Sequence, residues 1–529
     1  MRVRAILLGL LVCFGSLGAE DIDPAQELFD KAAALQRKKK WKSAQRAFRK
    51  LIKNFPDSAL VPAAEARGGD NCYMGTTAIW TSGPSPRRID VAVMGDGFTI
   101  APGDQKMQER WADDCIDVLF NEKSYSDYRN YFNIYFVRLG SLEEGVDPNL
   151  SPEELKKAQD RNRRRRRALN YKLDYSTALN CKAAGPQGQV MADRGLVYKW
   201  LEIADGDVPG TGDDRFVIAF ARFGRLGMGG GGVANVGRPD KSVTVHEFGH
   251  AFSRLLDEYA NNPGSPRGVW ANTLRAPNAH VSPKEPKPKD VPWAHMLKAR
   301  AKGIGIYEGG ATFKKGVWRP ARTCAMNVGG NQFCAVCREQ TVKVIYEYVS
   351  PIDVVSPSTA APIEAKSGDE TKIVVTPMKP LKHNLTVEWY ISRRAVVTSN
   401  PDLVQDAPPE RAGDGGVPED DDLGGLEGLE EMPYPTGGGR MNRGSPFRGS
   451  RAMANRAEYE KPPTGNQSKL GKVLKGKRSE PRRHVFPVGE LPPGQYWITV
   501  EVRDETKMVI KDEKHLLKAR ATWQVNVGK

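Results

Sequence analysis

Residues 242–259 read SVTVHEFGHAFSRLLDEY, and within them His246, Glu247 and His250 form an HExxH pattern. On a helix, side chains four apart project from one face, so a single metal ion can bridge two imidazoles at this spacing. Neutral imidazole is a good zinc ligand, and zinc makes its bound water acidic enough to supply hydroxide near neutral pH. Glu247, next to the first histidine, is placed to take a proton from that water. The chemistry implied is hydrolysis, with Zn2+ as cofactor. The bland alternative is an amphipathic helix with two surface histidines, because a pattern with three fixed positions also arises by chance.

Two histidines leave a protein ligand to be found, since catalytic zinc usually keeps three and a water. Asp257 and Glu258 are the nearest candidates. On an unbroken helix Asp257 stands seven residues past His250, a rise of ~10.5 Å, too far to share an ion. Either the helix bends after Ser253 and Arg254, or the third ligand lies elsewhere. His280, His295, His383, His484 and His515 stand in no motif; His295, beside Trp293, is the one in the same region of the chain.

The elements that must hold this stretch follow from pattern. Residues 24–60 read as a helical hairpin, with Leu28, Ala32 and Leu35 on one apolar face and Ala44, Phe48, Leu51 and Ile52 on the other. Lys38 to Trp41 makes the turn and Asn54 to Ser58 the stop. The hairpin resembles one tetratricopeptide unit, which cannot bury its own face and must pack on a neighbour. Ile89 to Met94, Tyr131 to Val137 and Phe216 to Ala219 with Phe220 read as strands, separated by helical segments that include Cys115 to Phe120 and Leu196 to Ile203. Strands alternating with helices indicate an α/β domain. The arginine-rich stretch and Leu173 to Cys181 read as an irregular connection. Gly229 to Gly232 precede the HExxH stretch and form either a flexible loop or a strand edge that an extended peptide can join. A last helix opens at Phe333 to Glu339. Beyond Pro351, short alternating strands at 372–376, 385–391, 495–503 and 521–527 indicate a β-sandwich, immunoglobulin-like in pattern. Residues 405–481, rich in glycine, proline and charge, read as a disordered insertion.

The chain has 529 residues, enough for several domains. Arg2 and Arg4 followed by the apolar run Ala5 to Phe14 and small residues to Ala19 form a secretory signal, with cleavage expected near Ala19. No later apolar run has the ~18 residues of a membrane span. The expected location is secreted or periplasmic. Cys72, Cys115, Cys181, Cys324, Cys334 and Cys337 remain after cleavage, and an even number in an exported chain favours disulfides. Cys334 and Cys337 could instead be half of a zinc site, but no second CxxC completes four thiolates. The net charge of +15 includes the run Arg163 to Arg167. With no nucleic-acid motif beside it, this reads as a solvated basic loop with weak attraction to anionic envelope polymers.

HEFGHAFSRLLDEY resembles the HExGHxxxxLxDEY signature of the IgA-peptidase family of metallo-endopeptidases. Val93 to Thr99, Tyr131 to Val137 with Ser141 to Gly145, Glu308 to Gly310, Trp318 to Pro320, Cys324 with Met326, and Phe333 to Cys337 look like that family's other blocks, in its order. The resemblance covers residues 85–350. It implies His246, His250 and an acidic residue of Asp257-Glu258-Tyr259 as zinc ligands, Asp257 being preferred, with Glu247 as general base and Met326 as a hydrophobic floor beneath the metal.

The expected architecture is multidomain: signal peptide 1–19, tetratricopeptide-like α-helical hairpin 20–68, an α/β metzincin-like zinc peptidase domain 69–350, and an immunoglobulin-like β-sandwich 351–529. The expected activity is a zinc-dependent endopeptidase acting on a protein or peptide substrate, with Tyr259 or Tyr307 as a candidate oxyanion donor. The rival readings are a non-catalytic envelope-binding protein with a structural zinc, and a zinc amidase acting on cell-wall material.

Overall fold

The computed structural model describes residues 23–164, 174–184, 189–207, 216–222, 226–239, 242–268, 274–327, 330–393, 468–469 and 483–529. The expected signal peptide, the arginine run from Arg165 onward and most of the expected insertion lie outside these residues. The chain divides into two compact units, Met1–Cys72 and Tyr73–Lys529.

In the first unit, α1 (Pro24–Arg37) starts with the Asp23 side chain accepting from the Ala25 N–H at 2.9 Å and with proline in the first turn, a favourable helix start. Lys39, at φ +56°, turns the chain into α2 (Trp41–Asn54). Ala32, Ala44, Phe48 and Leu51 are buried together, with the Phe29 and Phe48 rings edge to face at 5.4 Å. A third helix, α3 (Val61–Gly68), adds Ala64 to this core beyond the point where the sequence pattern ends the hairpin.

The second unit is built on a six-stranded sheet. Its strands are β1 (Cys72–Trp80), β2 (Ile89–Asp96), β3 (Phe132–Gly140), β6 (Phe216–Ala221), β7 (Met228–Gly230) and β8 (Val233–Val236), in the order β1-β3-β2-β6-β8-β7. β3, β2, β6 and β8 run parallel, and β7 closes the edge antiparallel to β8. Every residue of β2, β3 and β6 is buried, as expected of parallel strands covered on both faces. Between β2 and β3 lie α4 (Pro102–Leu119) and α5 (Lys123–Asp127). After β3, α6 (Pro152–Arg164) occupies part of the stretch expected to be irregular. Its start is a reciprocal cap: Ser151 N–H donates to Glu154 at 2.9 Å and Glu154 N–H to Ser151 Oγ at 3.3 Å. A small hairpin, β4 (Lys182–Ala184) with β5 (Gln189–Met191), leads to α7 (Arg194–Asp207). α8 (Val243–Ala251) follows β8 and carries the HExxH residues.

Beyond α8, β9 (Ala260–Asn262), β10 (His280–Val281), β11 (Ile304–Gly310) and β12 (Thr312–Ala321) form a second sheet, followed by the long helix Ala335–Tyr348. The C-terminal region has two further sheets. One contains β13 (Ile352–Ser356), β15 (Lys372–Pro377) and β18 (His484–Pro487). The other contains β14 (Ile363–Lys366), β16 (Thr386–Ser392), β17 (Ser468–Lys469), β19 (Gly494–Arg503) and β20 (Lys518–Gly528). Ile373, Val375 and Phe486 of the first share one core with Ile498, Val500, Trp523 and Val525 of the second. β17 pairs with β16 through Tyr390 and Lys469, so part of the stretch read as a disordered insertion is a strand.

The expected disulfides are not made among the described residues. Cys72, Cys115, Cys181, Cys324, Cys334 and Cys337 are all buried free thiols. Cys115 is held inside α4, and Cys324 and Cys337 have their sulfurs 3.7 Å apart, well beyond the ~2.05 Å of an S–S bond.

The C-terminal sheets are joined to the α/β core by buried polar contacts. Asp504 accepts from Tyr128 Oη at 2.6 Å, Tyr346 Oη at 2.7 Å and His383 Nε2 at 2.8 Å. Arg88 pairs with both carboxylate oxygens of Asp353, at 2.9 and 3.1 Å. Burial alone would raise the Asp504 carboxyl, but the hydrogen bonds from His383, Tyr128 and Tyr346 outweigh it and hold it below the usual aspartate value. A depressed carboxyl contributes stability that is present above its unfolded value and lost as pH falls through its folded one. Asp504→Asn is therefore expected to lower stability at neutral pH by about 2–3 kcal/mol and to flatten the acid limb of the stability profile. Urea titrations near neutral and mildly acidic pH check this; an unchanged neutral midpoint would remove Asp504 from that role.

Candidate metal centre

α8 is seated by its apolar side. Phe248 is fully buried, stacks on Phe252 at 5.4 Å and 4°, and meets Phe216 of β6 and Tyr125 of α5 edge to face. Full burial of such a side chain is worth about 2–3 kcal/mol. With Phe248 fixed inward, His246 and His250 project together from another side of the helix.

The helix does not continue to Asp257. It ends at Ala251, and Arg254 takes φ +59°, reversing the chain; Leu255 N–H then bonds back to Gly249 O at 3.2 Å. The reversal brings Asp257 Oδ1 to 2.9 Å from His246 Nε2 and 3.1 Å from His250 Nε2, and the two Nε2 atoms are 3.1 Å apart. Each Nδ1 is turned to a backbone carbonyl, His246 to Ala325 O at 2.8 Å and His250 to Leu255 O at 2.7 Å. These contacts select the tautomer that leaves Nε2 to a ligand.

The donor set fits a zinc-type ion. Three donors 2.9–3.1 Å apart approximate a face of a tetrahedron whose edge is about 3.3 Å for bonds of 2.0–2.1 Å. The electrostatics also call for a cation. Burial opposes charge on His246, but the hydrogen bond to Asp257 and the charges of Glu247 and Asp257 push it up to about 9. Burial would raise the Asp257 carboxyl, yet the charge of His250 and the two imidazole hydrogen bonds hold it well below the carboxylate range.

Glu247 is buried, and its carboxyl oxygen and the two histidine ligand nitrogens all lie within 4.8 Å of one another. Burial, the largest cause, raises its carboxyl despite the nearby histidines and a hydrogen bond from the Gly229 backbone. The glycine run has two tasks. Gly231 and Gly232, at φ +54° and +84°, make the two-residue turn between β7 and β8. Gly227 and Gly229 lie so close to Glu247 that a Cβ on either would collide with it.

Met326 is fully buried beneath the helix, and a Cβ on Gly249 would lie 2.8 Å from its sulfur and 3.0 Å from Phe333. Tyr259 stacks on His246 at 5.9 Å and 21°. Tyr307 carries the Arg322 guanidinium over its ring at 5.2 Å, and His295 pairs with Glu339 at 2.7 Å. Asp96, at the end of β2, was not singled out from sequence as a site residue. Its carboxylate accepts from Thr177 Oγ1 and Leu179 N at 2.8 Å and from Cys181 N at 2.9 Å, tying down the loops beyond β3. Its position between two glycines at a strand end is the signal that marks it.

A carboxylate and two imidazoles converge on one point, with a buried glutamate alongside. The profile of the IgA Peptidase M64 family, a metallopeptidase family, matches residues 77–158, from β1 into α6. The resemblance read from the sequence is thus found again over β2, α4 and β3, while the HExxH residues lie outside the match. Comparison with curated proteins gives no match.

Gly249→Ala is expected to push Met326 and Phe333 away from α8 and to cost about 1–3 kcal/mol. Thermal unfolding checks this, and an unchanged midpoint would show that the floor of the site yields freely.

Proposed function

We propose that the chain is an exported zinc-dependent endopeptidase. The observation that carries this reading is the convergence of His246 Nε2, His250 Nε2 and Asp257 Oδ1 within 3.1 Å beside the buried Glu247. His246, His250 and Asp257 would hold the metal, which when bound supplies a Lewis acid for the scissile carbonyl and acidifies water. Glu247 accepts the proton of the attacking water and returns it to the leaving amine; its raised carboxyl suits it to both transfers. β7, the antiparallel edge strand next to Glu247, is the strand along which an extended peptide would lie by β-augmentation. Tyr259 keeps its proton, chiefly through burial and then through the charges of Asp257 and Glu247, and is the candidate donor to the developing oxyanion. The N-terminal helices are tetratricopeptide-like and the C-terminal sheets immunoglobulin-like modules in this reading, placed to bind a partner or an envelope polymer.

Glu247→Gln is expected to keep its metal and lose at least about 100-fold in cleavage of an unfolded protein substrate. The parent chain should lose activity to a chelator and regain it with zinc. Undiminished cleavage by the variant would end the proposal. Export has its own check: N-terminal sequencing of the protein recovered outside the cytoplasm should begin near Glu20, and an intact start at Met1 would count against a cleaved signal.

A further inference from the structure

A second cluster lies one peptide bond from the first. Glu258, Cys324, Cys334 and Cys337 are all buried, and one potential ligand atom from each lies within 4.8 Å of all the others. Cys324 Sγ is 3.7 Å from Cys337 Sγ; Glu258 Oε1 is 3.1 Å from Cys337 Sγ and 3.7 Å from Cys334 Sγ. Tetrahedral zinc with bonds of about 2.3 Å to sulfur separates its ligands by about 3.8 Å.

The surroundings need a cation. Glu258 is fully buried, its Oε2 has no hydrogen-bond partner, and no lysine, arginine or histidine forms an ion pair with it among the described residues. Asn278 Nδ2, 3.3 Å from Oε1, is a neutral donor. A buried carboxylate without a positive partner costs several kcal/mol. Cys334 stands at the N-cap position of the helix Ala335–Tyr348, and its N–H donates to Cys324 Sγ at 3.3 Å. A disulfide between Cys324 and Cys337 would leave the Cys334 thiol and the Glu258 carboxylate facing each other with no counter-ion. A single metal ion would engage all four groups at once.

We propose that Glu258, Cys324, Cys334 and Cys337 bind a second, structural zinc ion in a closed site of three thiolates and one carboxylate. Three soft sulfur donors favour zinc over magnesium or calcium, and four protein ligands leave no position for water. The ion ties together the segments that shape the first centre. Glu258 adjoins Asp257, and its N–H bonds to Met326 O at 2.6 Å. Cys324 starts the turn whose Ala325 carbonyl receives the His246 Nδ1–H and whose Met326 lies under Gly249. The site stands whether or not the histidine centre cleaves peptides.

The test is zinc content of the full chain by elemental analysis, with X-ray absorption at the zinc edge. The parent protein should hold two zinc ions per chain. The His246→Ala/His250→Ala variant should retain one, with sulfur-dominated scattering at about 2.3 Å, and this variant leaves the cysteine cluster untouched. Cys334→Ser/Cys337→Ser should lose the sulfur-bound ion. Because that change could also unfold the chain, the histidine variant decides the matter. No zinc in the histidine variant, or scattering from nitrogen and oxygen alone, would overturn the proposal. So would a Cys324–Cys337 disulfide found by alkylating the denatured, unreduced parent protein. Failure of peptide cleavage with two zinc ions present would instead reject only the proposed activity.

Discussion

The chain reversal after α8 is the constraint on which the rest depends. Its hinge is Arg254 at φ +59°, a conformation that costs a non-glycine residue roughly 1–2 kcal/mol. The local bonds offset it: Leu255 N–H returns to Gly249 O, Leu255 O receives the His250 imidazole, and the Arg254 guanidinium pairs with Glu347 at 2.6 Å. A ligand contact and the turn that enables it are therefore one structure. His250 is oriented by Leu255, whose own N–H bonds back to the last turn of the helix. The reversed segment then enters an extended course in which neighbouring side chains face opposite ways. Asp257 meets the histidines while Glu258 meets the cysteines.

Close approach is the second condition. α8 lies between the β7 edge on one side and the Cys324–Met326 turn on the other, and at each contact the smaller partner is glycine. Gly227 and Gly229 admit Glu247, and Gly249 admits Met326. A methyl group at any of these positions would separate layers that the site needs in contact, so the glycines carry part of the site's geometry without carrying chemistry.

How much of this was legible depends on how local each signal is. His246, Glu247 and His250 share one helix, so their spacing alone placed them together. Asp257 was legible only as one of two candidates, because the helix ends at Ala251 and the chain reverses at Arg254, neither of which has a turn signature, and periodicity does not say where a helix ends. The parallel strands showed as apolar runs at 89–94, 131–137 and 216–220. α6 was missed although Ser151 and Glu154 spell a capping box, because the arginines that follow dominate the composition. The cysteines were misread for a different reason. Counting thiols in pairs led to disulfides, and requiring a second CxxC for a metal hid the cluster, since its remaining members are a lone cysteine and a glutamate 66 residues before it in sequence.

The matched family segment contains none of the converging donors, which shows where the site's precision comes from. Residues 77–158 supply β2, β3 and α4, which share one core with Val245 and Phe248 of α8. Asp96 ends β2 in three bonds shorter than 3 Å to the 177–181 loop, and Phe248 anchors α8 against Phe216 of β6 beside them. A donor triangle with 3 Å edges tolerates little displacement before an ion loses a ligand. The buried parallel sheet restrains that triangle from one side and the glutamate–cysteine cluster from the other, so α8 is held at both faces while only its histidines and Glu247 are left for chemistry.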